Sequence, residues 1–211
     1  MKIEKVSCGT ANVYIVYAKS GSILIDTGTE KYKEKVLACC KKANVKFIVL
    51  THGHFDHCQN AAYLANKLHC KVGIGGEDVS LIKTNEKRKL FGKGIWGKAY
   101  TWVANHNVQK YDVNCMVPDV ILKEGMRLSE LGVDIDGHII ELKGHTQGSI
   151  GVVLSSGELF VGDAMQNITI PGTTWCYEDE QQAQDSVKRI KHTHAHTIYY
   201  GHGRASKQLV K

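Results

Sequence analysis

No apolar run in the chain approaches the length needed to span a bilayer, and no basic start followed by an apolar stretch marks an export signal. The expectation is a cytoplasmic protein with no membrane segment. No C-x-x-C pair occurs among the seven cysteines (Cys8, Cys39, Cys40, Cys58, Cys70, Cys115 and Cys176), whose odd number suits reduced, mostly buried thiols. Tandem repeats and low-complexity segments are missing, and so is the G-x-S-x-G elbow that would announce a serine nucleophile. No nucleic-acid motif accompanies the net charge of +6, whose lysines are spread widely with one concentration at 83–89, "KTNEKRK". That balance reads as a solvated basic surface, which favours a small-molecule substrate over nucleic acid as the partner. Nothing in the residues sets the oligomeric state, and a dimer stays open.

What is present is an ordinary globular composition, 43% hydrophobic over 211 residues. The expectation is a single α/β domain over residues 1–211. "ANVYIVYA" and "SILIDTG" are β-rich runs joined by a hairpin-like turn, and a helix is expected over 30–43. "VKFIVL" reads as a buried strand, "NAAYLANKLH" as a helix and "KVGIGG" as a further strand, an order that implies strands covered by helices. A second block of short strands begins near Pro118. It includes a hairpin turned at 155–157, the helix "EQQAQDSVKRIKH" and the closing strand "HTIYYG". The two blocks suggest similar layers packed face to face. Between them, residues 84–117 show no clean periodicity. Trp96, Tyr100, Trp102 and Tyr111 in this stretch either line a substrate pocket as a lid or cover core surface, and the lid is the favoured reading.

The chemistry concentrates in "THGHFDHC", where His52, His54, Asp56 and His57 follow directly on a strand. Alternation places His52 and His54 on one side of an extended segment, and Asp56 and His57 follow as the chain turns toward a helix. Gly53 is expected to permit a sharp turn, with Phe55 packing inward. One short loop can thus serve two adjacent metal sites. Three further candidates each follow an apolar strand and a glycine: His145 in "LKGHTQGS", Asp163 in "ELFVGDA" and His202 in "IYYGHGR". A metal needs ligands converging from several directions, which such strand ends provide. Cys58 adjoins the cluster, but a site already supplied with imidazole and carboxylate does not need a thiolate. His192, His194 and His196 alternate near the C-terminus without a carboxylate and read as structural or surface residues. His69, His106 and His138 stay unassigned.

The ordered set of Asp26 in "LIDTG", then "HGHFDH", His145, Asp163 and His202 resembles the metallo-β-lactamase-fold hydrolase superfamily over essentially the whole chain. The resemblance implies a four-layer αβ/βα sandwich, two mixed sheets flanked by helices, with the site at one sheet edge. It implies that His52, His54 and His145 hold one metal, that Asp56, His57 and His202 hold a second, and that Asp163 bridges both. Asp26 would stand behind the ligands and fix the orientation of an imidazole. Five imidazoles and two carboxylates suit two divalent ions, zinc first, with iron or manganese open. Such a pair would hold a bridging hydroxide as the nucleophile, with Asp56 and Asp163 as the catalytic carboxylates.

Within the superfamily, the absent export signal and the complete Asp56–His57 pair depart from true β-lactamases. His54 stands where flavin-linked diiron oxygen reductases usually carry glutamate. The compact hydroxyacylglutathione hydrolase (glyoxalase II) and lactonase branch is the better likeness, although the sequence stops nine residues after His202, where glyoxalase-II-type enzymes add a glutathione-binding helical domain. The expected activity is hydrolysis of an ester, thioester or lactone. The alternatives are a mononuclear-iron persulfide dioxygenase, using His52, His145 and Asp163, and a phosphodiesterase.

Overall fold

The computed structural model describes residues 1–207. Alternating apolar residues from Ile3 to Ile25 build three antiparallel strands, β1 (Ile3–Cys8), β2 (Ala11–Val16) and β3 (Ser22–Ile25). β4 (Val45–Val49), β5 (Lys71–Gly75) and β6 (Val120–Leu122) then add in parallel, giving a six-stranded sheet in the order β1-β2-β3-β4-β5-β6. Parallel neighbours need crossovers. Helix α1 (Lys33–Ala43) supplies one, and the short α2 (Phe55–Cys58) with α3 (Ala61–Leu68) supplies the next. A single turn of 3-10 helix (Glu30–Tyr32) precedes α1, so the helix expected over 30–43 is regular only from Lys33.

The second sheet runs β13-β12-β9-β8-β7, from β7 (Gly137–Glu141), β8 (Ile150–Leu154), β9 (Glu158–Phe160), β12 (Thr197–Tyr199) and β13 (Ser206–Lys207). A two-stranded ribbon, β10 (Met165–Gln166) and β11 (Gly172–Thr173), stands apart from it. The two-residue side-chain period of strands sorts the core into three layers. Ile15, Leu24 and Ile48 face Val36, Leu37 and Leu64 of α1 and α3. The alternate residues Tyr14, Val16, Ile23, Ile25 and Phe47 meet Ile139, Val152 and Phe160 between the sheets. Ile140, Leu159 and Ile198 meet Ile190 of α6 (Glu180–His192) on the far face. Helix, sheet, sheet and helix are therefore stacked as four layers. Asp179 caps α6 by accepting the Gln182 amide at 2.9 Å.

Two expectations change. Val120–Leu122 pairs with β5 in the first sheet instead of opening the second block, so the 84–117 stretch is spliced between two neighbouring strands. That stretch is also not irregular. α4 (Val79–Lys83) precedes it, and it contains the 17-residue helix α5 (Gly94–Lys110). Only Thr101 of α5 is buried, so apolar residues lie on both faces and no polar-apolar contrast marks the helix. Among the described residues, no helix is long and apolar enough to cross a membrane.

Candidate metal centre

Strands β3, β4, β7, β9 and β12 all end on one edge of the sandwich, and each delivers a polar side chain there. Asp26 follows β3, His52 to His57 follow β4, His145 follows β7, Asp163 follows β9 and His202 follows β12. The two sheets are tied together at this edge: the Ile150 amide donates to the Thr51 carbonyl at 2.8 Å, and the Asn12 amide to the Gly201 carbonyl at 2.8 Å.

The seven residues expected as ligands converge. His52, His54 and His145 form one set that could hold a metal ion, and Asp56, His57 and His202 form another. Asp163 joins His52 and His57 in a third such set. Its Oδ2 lies 3.8 Å from His145 Nε2 and 3.2 Å from His202 Nε2, and its Oδ1 is 3.5 Å from His57 Nε2. Asp163 thus reaches both groups.

Donor spacing fits cations. Oxygen or nitrogen donors about 2.0–2.2 Å from a tetrahedral ion sit roughly 3.3–3.6 Å from one another. His57 Nε2 and His202 Nε2 are 3.4 Å apart and His202 Nε2 and Asp56 Oδ2 3.3 Å, within this range. His145 Nε2 and His54 Nδ1, at 3.0 Å, are closer and would part slightly around an ion. His52 Nε2 and Asp163 Oδ1 are buried with no hydrogen-bond partner, a costly state for polar atoms unless a cation meets them. Gly201 leaves room for this packing: a Cβ there would come within 2.1 Å of Asp163 Oδ1 and 2.8 Å of the His57 ring.

The far sides of the rings are fixed. His57 Nδ1–H donates to Asp26 Oδ2 at 2.9 Å, His145 Nδ1–H to the Cys176 carbonyl at 2.8 Å, and His202 Nδ1–H to the Thr10 carbonyl at 2.9 Å. Each bond selects the tautomer that leaves Nε2 bare toward the centre. Asp26 also accepts the Thr51 amide at 2.8 Å and the Thr51 hydroxyl, whose oxygen lies 3.1 Å from His52 Nδ1. It sits at φ 60°, a left-handed backbone that aspartate tolerates better than most residues and that the surrounding bonds hold in place.

Burial lowers the basicity of His52 and His54, aided by neighbouring imidazoles, and takes His54 to about 3. His145 is likewise lowered by burial. Burial also opposes charge at His57 and His202, but there Asp163 and Asp56 prevail, raising His57 to about 9 and His202 well above its usual value. Against the same opposing burial, the imidazoles hold Asp56 and Asp163 well below the ordinary carboxylate range. One set is therefore a neutral imidazole trio, and the other carries the negative field. Lone pairs of the neutral trio and of the carboxylates are open to a cation, whereas His57 and His202 hold protons that a bound ion would displace.

Asp78, which nothing in the sequence singled out, is fully buried beneath the ligand loops. It accepts the Gly53 amide at 3.0 Å, the Thr146 hydroxyl at 2.6 Å and the Gly148 amide at 2.9 Å. It thereby binds the loop of His52 and His54 to the loop of His145. Burial pushes its carboxyl upward against these donors and Arg88. Arg88, read as part of a solvated basic surface, is instead folded against Asp78 at 3.3 Å and Glu178 at 3.5 Å. Gly53 makes no left-handed turn, since its place is set by crowding: a Cβ would lie 2.5 Å from Leu81 Cβ. Phe55 is half-buried and stacks on Tyr111 with ring centroids 4.9 Å apart.

Cys58 turns away, its thiol donating to the Gly53 and His54 carbonyls at 3.2 and 3.0 Å. His192 donates to the Lys188 carbonyl, and His196 to the Ser156 carbonyl. With His194 at φ 53° between them, these three serve the turn into β12 and meet at no common point among the described metal-competent groups. A cavity of about 600 Å³ opens on the cluster, walled by His54, Asp56, Asp163 and His202 and, from α5, by Tyr100 and Val103.

A helix–sheet–sheet–helix stack with a His/Asp metal-competent cluster at one strand edge defines a class of metalloproteins, and sequence comparison agrees. The pattern of the metallo-beta-lactamase superfamily matches residues 6–202, and the chain belongs to that superfamily, whose members are mostly metal-dependent hydrolases. The chain is 28% identical over 179 residues to an uncharacterised protein of Aquifex aeolicus (strain VF5), covering 82% of this chain and 73% of that one. It is 28% identical over 196 residues to hydroxyacylglutathione hydrolase 1 of Vibrio vulnificus (strain YJ016). That match covers 90% of this chain but only 61% of the Vibrio enzyme's length. Among solved structures, TTHA1623 in a di-iron-bound form aligns with a TM-score of 0.71 at 23% identity, over 98% of this chain and 94% of that one. The BLEG-1 B3 metallo-beta-lactamase aligns at 0.73 with 16% identity and the same coverage. At these identities the structural likeness shows the fold.

Proposed function

We propose that the protein is a hydrolase that uses two divalent metal ions to cleave an ester, thioester or lactone bond of a small molecule. The observation that carries this reading is the meeting of two donor sets at Asp163, on the wall of a cavity of about 600 Å³. His52, His54 and His145 would hold one ion, Asp56, His57 and His202 the other, and Asp163 faces both. Zinc suits this set first, and the di-iron form of TTHA1623 keeps iron in view. Ions bound there supply Lewis acidity and bring the ionisation of water near neutral pH.

The chain's own contributions follow from the geometry. Asp56 is the cluster's most open carboxylate, its side chain 21% exposed. It stays ionised and can accept a hydrogen bond from the attacking water, aligning it with the substrate. Asp26 and Asp78 hold the ligand loops in register. Tyr100 borders the same cavity, and burial, with Cys176 and Asp163 adding, raises its phenol to about 12. It therefore remains a hydrogen-bond donor through neutral pH, placed to orient a substrate oxygen. The 84–117 segment, with α5 on the cavity wall, acts as the lid over this site. The likeness to a hydroxyacylglutathione hydrolase supports the reaction class.

The test is metal analysis of untagged protein combined with a panel of esters, thioesters, lactones and a bis-aryl phosphate. Two ions per chain with turnover of a carboxylic ester, thioester or lactone is the expected result. One iron per chain with sulfite formation from a persulfide, or turnover of the phosphate alone, would contradict it.

A further inference from the structure

Helix α5 turns one of its apolar strips outward. Ile95, Trp96, Ala99, Trp102 and Val103 are all exposed, with Ile95 at 84% and Trp96 at 85%, while only Thr101 is buried. These positions share one helical face, so the exposure is organised and not scattered. Between this face and Trp175 lies an open trough of about 770 Å³, lined by Trp96, Ala99, Tyr100, Val103 and Trp175 with Lys93 at the rim. The trough walls are fixed. Phe91 and Tyr177 exchange backbone hydrogen bonds of 2.7 and 3.0 Å, and the rings of Tyr100 and Trp175 meet edge to face at 5.4 Å.

Tyr100 and Val103 line this trough and the catalytic cavity alike. These two side chains form a wall common to both cavities, which sets the apolar trough directly beside the His/Asp cluster's cavity. Lys93, the one charged residue among the trough's lining, is paired with Glu180 at 2.7 Å and offers no free positive charge to an anionic tail. We propose that the trough is the subsite for an uncharged, unbranched alkyl chain, and that the substrate is an ester or thioester of a medium- to long-chain fatty acid. This rests on the hydrolase reading. It adds the substrate class, and it commits the exposed face of α5 to that occupant because the trough and the reaction site share Tyr100 and Val103 as lining.

Burying a methylene contributes about 0.8 kcal/mol, which is roughly a fourfold gain in affinity. In an open trough a gain of about two- to fourfold per methylene is expected. The experiment is kcat/KM of the metal-loaded protein on p-nitrophenyl acetate, butyrate, octanoate and dodecanoate, run on wild type and Ala99→Trp. Ala99 touches the trough and not the metal cavity, and it lies exposed on a helix where tryptophan folds without displacing core. The expected result is a rise from acetate to octanoate in wild type and a flattened profile in the variant, with acetate turnover kept within about twofold. A flat wild-type profile, or an undiminished rise in Ala99→Trp, would overturn the subsite while leaving the hydrolase reading standing.

Tryptophan fluorescence gives a second readout that does not need turnover, since Trp96 and Trp175 border the trough. Saturable change with dodecanoate, little with butyrate, and loss of the response in Ala99→Trp are expected. If no p-nitrophenyl ester is turned over, this fluorescence alone decides the subsite, with no dodecanoate response overturning it, while thioester and lactone turnover decides the hydrolase reading. A dimer dispersed by Trp96→Lys, or binding to anionic phosphatidylserine vesicles without any chain-length dependence of turnover, would assign the face to a second copy or a lipid surface and overturn the proposal.

Discussion

The edge that carries the His/Asp cluster and the helix beside it are built on opposite terms. At the edge, three of the imidazoles are pinned through Nδ1 by a carboxylate or a backbone carbonyl, and Asp26 and Asp78 each serve several donors below them. In α5, one residue of 17 is buried, the Thr101 hydroxyl has no partner, and Ile95, Trp96 and Trp102 face water. Positional accuracy resides at the edge, where reacting groups must be held within fractions of an ångström. Exposed apolar surface resides in the helix, where Ile95, Trp96 and Trp102 face solvent.

The comparison breaks most visibly at Asp163. Asp163→Asn is expected to lower kcat/KM on any accepted ester by more than about a hundredfold, beyond the 10–100-fold typical of residues behind the ligands, with a fall in bound metal by elemental analysis. Next comes Asp78→Ala, which frees both ligand loops without touching the cluster's inner atoms. It should weaken metal affinity about 10–100-fold in a chelator competition and cost roughly 1–3 kcal/mol in denaturant unfolding for the donors left unpaired.

A third test uses the buried thiols. Burial raises Cys8 and Cys70 to about 11 and Cys40 and Cys176 to about 12, from an ordinary 9.0. A thiol raised in the folded state contributes stability that is complete below the unfolded value and is lost as pH climbs through the folded one. Unfolding midpoints should therefore decline between about pH 9 and 12, with a shallower decline in Cys40→Ala. At pH 8 only exposed Cys115 should react quickly with a thiol reagent. The smallest effect is expected on α5: Trp102→Ser should change stability by less than about 0.5 kcal/mol, whereas Ile139→Ala in the inter-sheet core should cost about 2–4 kcal/mol.

How much of this was legible beforehand follows the same division. His52, His54, Asp56 and His57 could be read because rare residue types crowd one local stretch, and His145, Asp163 and His202 because each sits just beyond a strand and a glycine. The layers followed from strand and helix order. Asp78 was hidden, since a lone aspartate after "GIGGE" has no local signature and its role exists only once two distant loops meet on it. β6 was assigned to the wrong sheet because Pro118 resembles a boundary, while the pairing with β5 is set across the 84–117 stretch. β1 went unread because only Val6 and Cys8 of its six residues are buried. The helix in 84–117 escaped because Tyr100 and Val108 point toward the cavity while Trp96 and Trp102 point outward, which erases the contrast on which periodicity depends.

Metal stoichiometry tests most directly the proposal that two ion sites share one carboxylate. Wild type should bind two divalent ions per chain in a titration of chelator-treated protein, while His54→Ala and Asp56→Ala, each removing a donor from one set alone, should each bind one tightly. A single ion in wild type, or the same count in all three proteins, would contradict it.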